Sequence, residues 1–316
     1  MSAEIRRFLR RHPTSIESIH MRKLSYFIPV LLLGTLCGYA QTQASCAFHY
    51  FQIPSSTGTS VPEGMNSWGT IVGYISQPSG SSQGFVRYSN GGTNIYAAPL
   101  STSTTIMRRS GTGVNVGFYL PKGATYQNKG FVASGSSFQS IIYPSATATY
   151  LTGINKWGSI VGYWMDVNGF FHGFELQNGK FFPITYPGSY ETVPSAINDN
   201  GVIAGTYYNT NPSGSPGPPH GFTEQGGVYK TIFMNNGDAI QLSDISNTGE
   251  IVGADVQGTV AQAFIYKAGV FKFISVPNST FTAANGISPA EVVVGNASVP
   301  NSSGGSRNVN YTATCQ

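Results

Sequence analysis

A short step bracketed by glycines recurs six times along this chain and constrains its fold more than any other feature. It reads Gly69-Thr-Ile-Val-Gly73, Gly113-Val-Asn-Val-Gly117, Gly158-Ser-Ile-Val-Gly162, Gly201-Val-Ile-Ala-Gly205 and Gly249-Glu-Ile-Val-Gly253. A sixth copy, Glu291-Val-Val-Val-Gly295, has lost its first glycine. The second glycines are spaced 44, 45, 43, 48 and 42 residues apart. A fixed period of this size marks a repeat architecture.

Further elements follow each step in register. Gln83-Gly84-Phe85, Lys129-Gly130-Phe131, His172-Gly173-Phe174, His220-Gly221-Phe222 and Gln262-Ala263-Phe264 form one set. Beyond a turn position comes an aromatic-x-x-apolar-x-x-Pro strand, as in Phe181, Ile184 and Pro187 or Phe271, Ile274 and Pro277. Phe138, Ile141 and Pro144 repeat it; Tyr229 and Ile232 lead to Asn235 instead, and Thr93, Tyr96 and Pro99 form a looser copy. Each unit reads as four short strands, with Asn198-Asp199-Asn200-Gly201 a strong turn between the first two. Four strands in about 45 residues is one propeller blade. The fold class expected is all-β, a six-bladed β-propeller of four-stranded blades.

The sixth unit stops short. Tyr311 takes the Gly-Phe position and the chain ends at Gln316, before a fourth strand can form. Phe48, Phe51 and Pro54 carry the missing strand's spacing, so the N-terminal strand is expected to complete the last blade and close the ring. Cys46 and Cys315 then fall where the other units have a hairpin, which predicts a disulfide between them.

Residues 1–44 read as a secretory signal, with the true start falling at Met1 or Met21. Met21-Arg22-Lys23 precedes an apolar run from Leu24 to Gly38, and cleavage is expected near Ala40 or Ala44. The run is too short and too interrupted, by Pro29, Gly34 and Gly38, for a membrane span. Cys37 leaves with this segment, and because it follows Leu36 no lipid anchor is expected. The mature chain, 45–316, is then a single six-repeat domain, secreted or periplasmic. Of 17 Lys and Arg and 13 Asp and Glu, six and two lie before residue 45, leaving 11 of each sign. A neutral chain lacks the basic face that nucleic acid requires.

The repeats resemble those of the HAF family of probable extracellular repeat proteins, named for a His-Ala-Phe motif. The resemblance rests on His172-Gly173-Phe174, His220-Gly221-Phe222 and Gln262-Ala263-Phe264, and on the Ile-Asn-x-x-Gly-x-Ile-Val-Gly stretch at 154–162 and, with Ala204, at 197–205. It covers essentially the whole mature chain. It implies secretion and a repeat fold, and supplies no activity and no catalytic residues.

Residues suited to chemistry are few. His172 and His220 share one repeat position, filled elsewhere by Gln83, Lys129 and Gln262, which reads either as a structural side chain or as part of a polar ring around a channel. Asp166-Val-Asn-Gly169 and 198–201 look like fragments of calcium loops but lack the remaining ligands, and turn chemistry explains them better. No metal, cofactor or catalytic residue is expected. Arg108 and Arg109 stand where other repeats have Gly, Ala or Asp and Ile or Met. Either they face the channel and a ligand, or a bulge restores Ile106 or Met107 to the core. A long Tyr/Asn/Pro-rich loop from Tyr207-Tyr208 to Pro219, with Trp164, could stack on sugar rings, or be a mere spacer. The function expected is a monomeric, non-catalytic secreted module for extracellular polysaccharide, cell-surface glycan or a protein partner. The alternatives are a carbohydrate-active hydrolase or lyase, and a structural surface or matrix protein.

Overall fold

Strand forms wherever the repeat sets Val, Ile, Tyr and Phe between glycine turns, and the computed structural model of the protein has no helix among its described residues. These are 42–54, 58–210, 216–234, 239–256, 261–302 and 304–316. The expected signal lies outside them except for its last three residues, and Asn235 and part of the 207–219 loop lie outside as well.

The third repeat shows the pattern. Ala148–Ile154, Ile160–Met165, Phe171–Gln177 and Lys180–Ile184 pair in order as an antiparallel sheet. Strands within 59–96, 101–141, 191–232 and 240–273 pair the same way. The last group takes three strands from 281–315 and its fourth from Cys46–Phe51. In that ladder Cys46 faces Cys315, and the two form a disulfide across 269 residues of chain. Phe48 packs edge-on to Tyr311, with ring centroids 5.2 Å apart. Upstream, Thr42 and Gln43 run parallel to Lys272 and Phe273, and the Ala44 amide donates to the Phe273 carbonyl at 2.8 Å. The last group also reaches the first: Asn285 Nδ2 donates to the Pro62 carbonyl at 2.7 Å and Asn308 Nδ2 to the Ser60 carbonyl at 2.8 Å.

The motif residues now have physical reasons. Phe85, Phe131, Phe174, Phe222, Phe264 and Tyr311 are all fully buried, so the Gly-Phe aromatic is the core of each group. Its neighbouring glycine makes room for the next group: a Cβ on Gly130 would sit 2.8 Å from Leu151, and one on Gly173 2.7 Å from Pro194. The second glycine of each step is more tightly enclosed. At Gly162 a Cβ would strike the Tyr150 carbonyl oxygen on one side and meet Phe174 Cζ at 3.0 Å on the other. The first glycine is conformational. Gly158 has φ +86° with open space around it, and Glu291, standing in the sixth copy, adopts φ +60°.

One expectation needs correction. The long loop of the fourth repeat is mostly strand: Ile203–Thr210 and Pro216–Gln225 extend the hairpin outward and pair as far as Thr210 with Pro216, across a bulge after Tyr208. Those of the extra residues that the structure describes lengthen the ladder.

The two glycines of one step should respond differently to the same change. Gly162→Ala is expected to cost about 3 kcal/mol through overpacking, and Gly158→Ala only about 1 kcal/mol through its left-handed backbone. Urea unfolding of both variants checks this, and equal losses would contradict it.

Candidate functional site

All six first strands carry a bulge at the same place. Their register shifts between Pro62 and Gly64, Ile106 and Arg108, Leu151 and Gly153, Pro194 and Ala196, Leu242 and Asp244, and Ala284 and Gly286. A bulge leaves a residue outside the ladder and its backbone polar groups in need of partners. The extra residues are Glu63, Met107, Thr152, Ser195, Ser243 and Asn285.

Arg108 meets that need. Its Nη1 donates to the Glu63 carbonyl and, at 2.8 Å, to the Met107 carbonyl. Its Nη2 donates to the Ser243 carbonyl at 2.8 Å and the Asn285 carbonyl at 3.3 Å. Nε lies 3.3 Å from Asp244 Oδ2, an ion-pair contact that falls short of an aligned hydrogen bond. Both residues are buried. They hold the same repeat position, just after the bulge, where the other four groups have Gly64, Gly153, Ala196 and Gly286. A Cβ on Gly64 would lie 2.7 Å from Arg108 Cδ, so the small residues leave room for the long one. The two readings of Arg108 thus combine: a bulge keeps Ile106 in the core, and Arg108 turns inward. Its four Nη hydrogens are spent on backbone carbonyls of the protein itself, and Nε faces Asp244.

Burial pushes the Asp244 carboxyl up, against Arg108 and the amides of Ile287 and Ile245, which hold it down. Glu63 is raised to about 7 by burial, with the Arg108 guanidinium opposing the rise.

Beyond this layer the first strands end in turns that surround an open cavity of about 150 Å³. Asn66, Arg109, Lys156, Asn198, Asp199 and Asn247 are among the polar residues lining it. The turns are locked to one another. The Asn66 amide donates to the Ser110 carbonyl at 3.2 Å and the Asn198 amide to the Ser246 carbonyl at 2.9 Å. Asp199 accepts the Lys156 amide at 2.8 Å and the Asn247 side-chain amide at 2.9 Å. The calcium-like stretches are turns: Asn198 Oδ1 accepts from Asn200 and Val202, as Asp166 Oδ1 does from Asn168 and Phe170. Among the described residues no cluster of His, Cys, Asp and Glu could hold a metal.

Two tryptophans flank this mouth. Trp68 and Trp157 are 71% and 74% exposed, in turns where other repeats have Thr112, Asn200, Thr248 or Ala290. Each is fixed by its indole N–H, to the Gly111 carbonyl at 3.0 Å and the Asp199 carbonyl at 3.0 Å, both on the following repeat. The edge is anchored and the face is left to solvent. Lys156 Nζ lies 4.7 Å from the Trp157 ring. The motif reading passed over both residues. The available signal was a large apolar residue beside a left-handed glycine in a hairpin turn, where no core exists to receive it.

The expected binding residues are dispersed. Arg109 lines the mouth and donates to Asn115 Oδ1 at 2.7 Å. Trp164 is half-buried, stacked on Tyr143 at 4.6 Å, with the His172 ring on it at 4.6 Å. His172 Nε2 lies 3.2 Å from Asp166 Oδ2. Burial raises the Asp166 carboxyl, but Phe170 and Asn168 amides and His172 outweigh that and hold it below its ordinary value. Tyr207 is buried, stacked on Tyr186 at 3.7 Å, with His220 at 5.2 Å, and burial lowers the His220 imidazole. Tyr208 is half-buried, its phenol pushed up to about 12 by burial and Glu191. Tyr207 therefore cannot stack on a ligand, because its aromatic face is already covered.

No family model matches the chain, and no curated protein matches it. Among solved structures it is similar to TolB from Acinetobacter baumannii, with TM-score 0.52 and 14% identity over 78% of this chain and 64% of that one. Streptogramin B lyase aligns with TM-score 0.49 and 12% identity over 86% of this chain and 98% of that one. A mutant of the Aleuria aurantia lectin, in complex with a fucosylated GlcNAc, aligns with TM-score 0.48 and 14% identity over 82% and 95%. The TolB likeness and the strand pairing define the class: an all-β, propeller-like protein.

The raised Glu63 carboxyl links stability to pH. Its neutral form is favoured in the folded state, so its contribution is complete below the ordinary value of 4.5 and is lost as pH rises towards about 7. Stability should therefore fall across that window, and Glu63→Gln should flatten the slope. Denaturation midpoints between pH 4 and 8 for both proteins check this; an unchanged slope in the variant would contradict it.

Proposed function

We propose that this chain is a secreted, non-catalytic binding module that takes extracellular polysaccharide or cell-surface glycan at the Trp68–Trp157 mouth. In this reading it is a monomeric six-bladed β-propeller of HAF-type repeats, closed by the strand Cys46–Phe51. The sixfold recurrence of bulge and buried aromatic supports the blade count, and contacts of 281–315 with Ser60 and Pro62 support closure. A disulfide between the chain's ends is compatible with an oxidising compartment. Among the described residues no helix is long and apolar enough to cross a membrane.

The observation that carries the reading is the pair of exposed, edge-anchored indoles beside a polar cavity. Sugar rings present an apolar C–H face that stacks on an aromatic ring and hydroxyls that need amide and carboxylate partners, and this mouth offers both. Pre-anchored rings lose little entropy on binding. The carboxylates lining the mouth favour binding over hydrolysis: Asp244 is engaged by Arg108 and Asp199 by the adjoining turns.

Affinity electrophoresis of 45–316 through gels containing a panel of polysaccharides tests this. At least one polymer is expected to retard the protein, and Trp68→Ala with Trp157→Ala to abolish the retardation while the protein remains folded, with a cooperative thermal transition. Retardation that survives the double change, or release of oligosaccharides from the polymer, would overturn the proposal.

A further inference from the structure

The charges around the mouth are unevenly placed, and their placement specifies the ligand further than the aromatic pair does. Between Trp68 on the first repeat and Trp157 on the third lie Arg109 and Lys156, both lining the cavity. Arg109 is half-buried and draped over its own turn, with Nη2 3.1 Å from where a Cβ on Gly113 would stand. Its recorded partner is a neutral amide, Asn115 Oδ1 at 2.7 Å. Lys156 is exposed, and its recorded contact is the Trp157 ring at 4.7 Å. Neither cation has a carboxylate within ion-pair distance among the described residues.

Other charges of these turns are engaged within the protein, and Glu250 of the fifth repeat stands in the field of Lys267 and Glu291. Arg108 and Asp244 neutralise each other below the mouth. Lys267 and Glu291 pair at 2.8 Å on the outside of the fifth and sixth repeats. Asp199 sits on the fourth repeat with its oxygens turned to the Lys156 amide and the Asn247 side chain. The arc from the first repeat to the third therefore presents Trp, Arg, Lys and Trp, on residues 45–316 that carry 11 charges of each sign in all.

Resting on the glycan reading above, we propose that the ligand is an acidic polysaccharide whose carboxylates or sulfates meet Arg109 and Lys156 while its sugar rings stack on Trp68 and Trp157. Arg109 offers a planar fork suited to an oxyanion and Lys156 a point charge. The indoles give affinity for the sugar face; the cations choose among sugars.

The test compares polygalacturonate with its fully methyl-esterified form, the same sugar backbone without the charge. Affinities would be measured by calorimetry at low and high NaCl, with a sulfated polymer as a second anionic probe. The intact mature protein is expected to bind at least one anionic polymer about tenfold more tightly than the ester at low salt. That advantage should shrink as salt rises. Arg109→Gln with Lys156→Gln should bring the polymers within about twofold by weakening binding of the anionic ones. Equal affinity of the wild-type protein for charged and esterified polymers would overturn the charge proposal and leave the glycan reading standing. No binding of any of the three polymers would overturn both.

Discussion

One guanidinium meets the backbone carbonyls of Glu63, Met107, Ser243 and Asn285, on four different first strands. The rest of the fold depends on that convergence. Each first strand is bulged, and each bulge withdraws a residue from its ladder, which in a closed interior leaves polar atoms without water. Arginine suits this place because its five donors can serve several acceptors at once and it remains charged whatever the pH. Its charge needs an answer, and Asp244 supplies it from the same repeat position three repeats further along the chain. Glycine or alanine at the other four positions lets the strands approach closely enough for the contact.

The mouth inherits its order from this layer. Turns that follow a fixed bulge begin at fixed points, and Asn66, Asp199 and Asn198 bond the first to the second, the third to the fourth and the fourth to the fifth. Trp68 and Trp157 then use their indole N–H groups for the same purpose, bonding to the following repeat. What remains free of each ring is its face. A large apolar side chain is thus held at the surface by its own polar edge.

The parts of the fold legible in the sequence are those enforced by local sterics. A glycine against a carbonyl and a phenyl ring, a glycine with positive φ, and an aromatic alone in a core recur wherever the backbone recurs, so they show as a period. The pairing of Cys46–Phe51 with the last group was legible for the same reason, because Phe48, Phe51 and the cysteine pair keep that frame. The site was less so. Arg108 stood out as a cation among small residues, but its partner Asp244 lies 136 positions away in sequence and no spacing rule joins them. Only the bulge of the second repeat left a mark, through Arg108 and Arg109 displaced from the pattern; elsewhere one extra residue in a strand changes neither composition nor period. Tyr207 and Trp164 drew notice as aromatics near a loop, yet lie against Tyr186 and Tyr143, whereas Trp68 and Trp157 were hidden inside the motif itself.

The most direct test is a double-mutant cycle between Arg108→Met and Asp244→Leu, read by urea unfolding of residues 45–316. Each single change strands a buried charge and should cost about 3–5 kcal/mol. The double variant should lose well under the sum, because removing both charges leaves no unpaired ion. Losses that simply add would contradict a central role for the pair and would mean that each residue acts through its own neighbours.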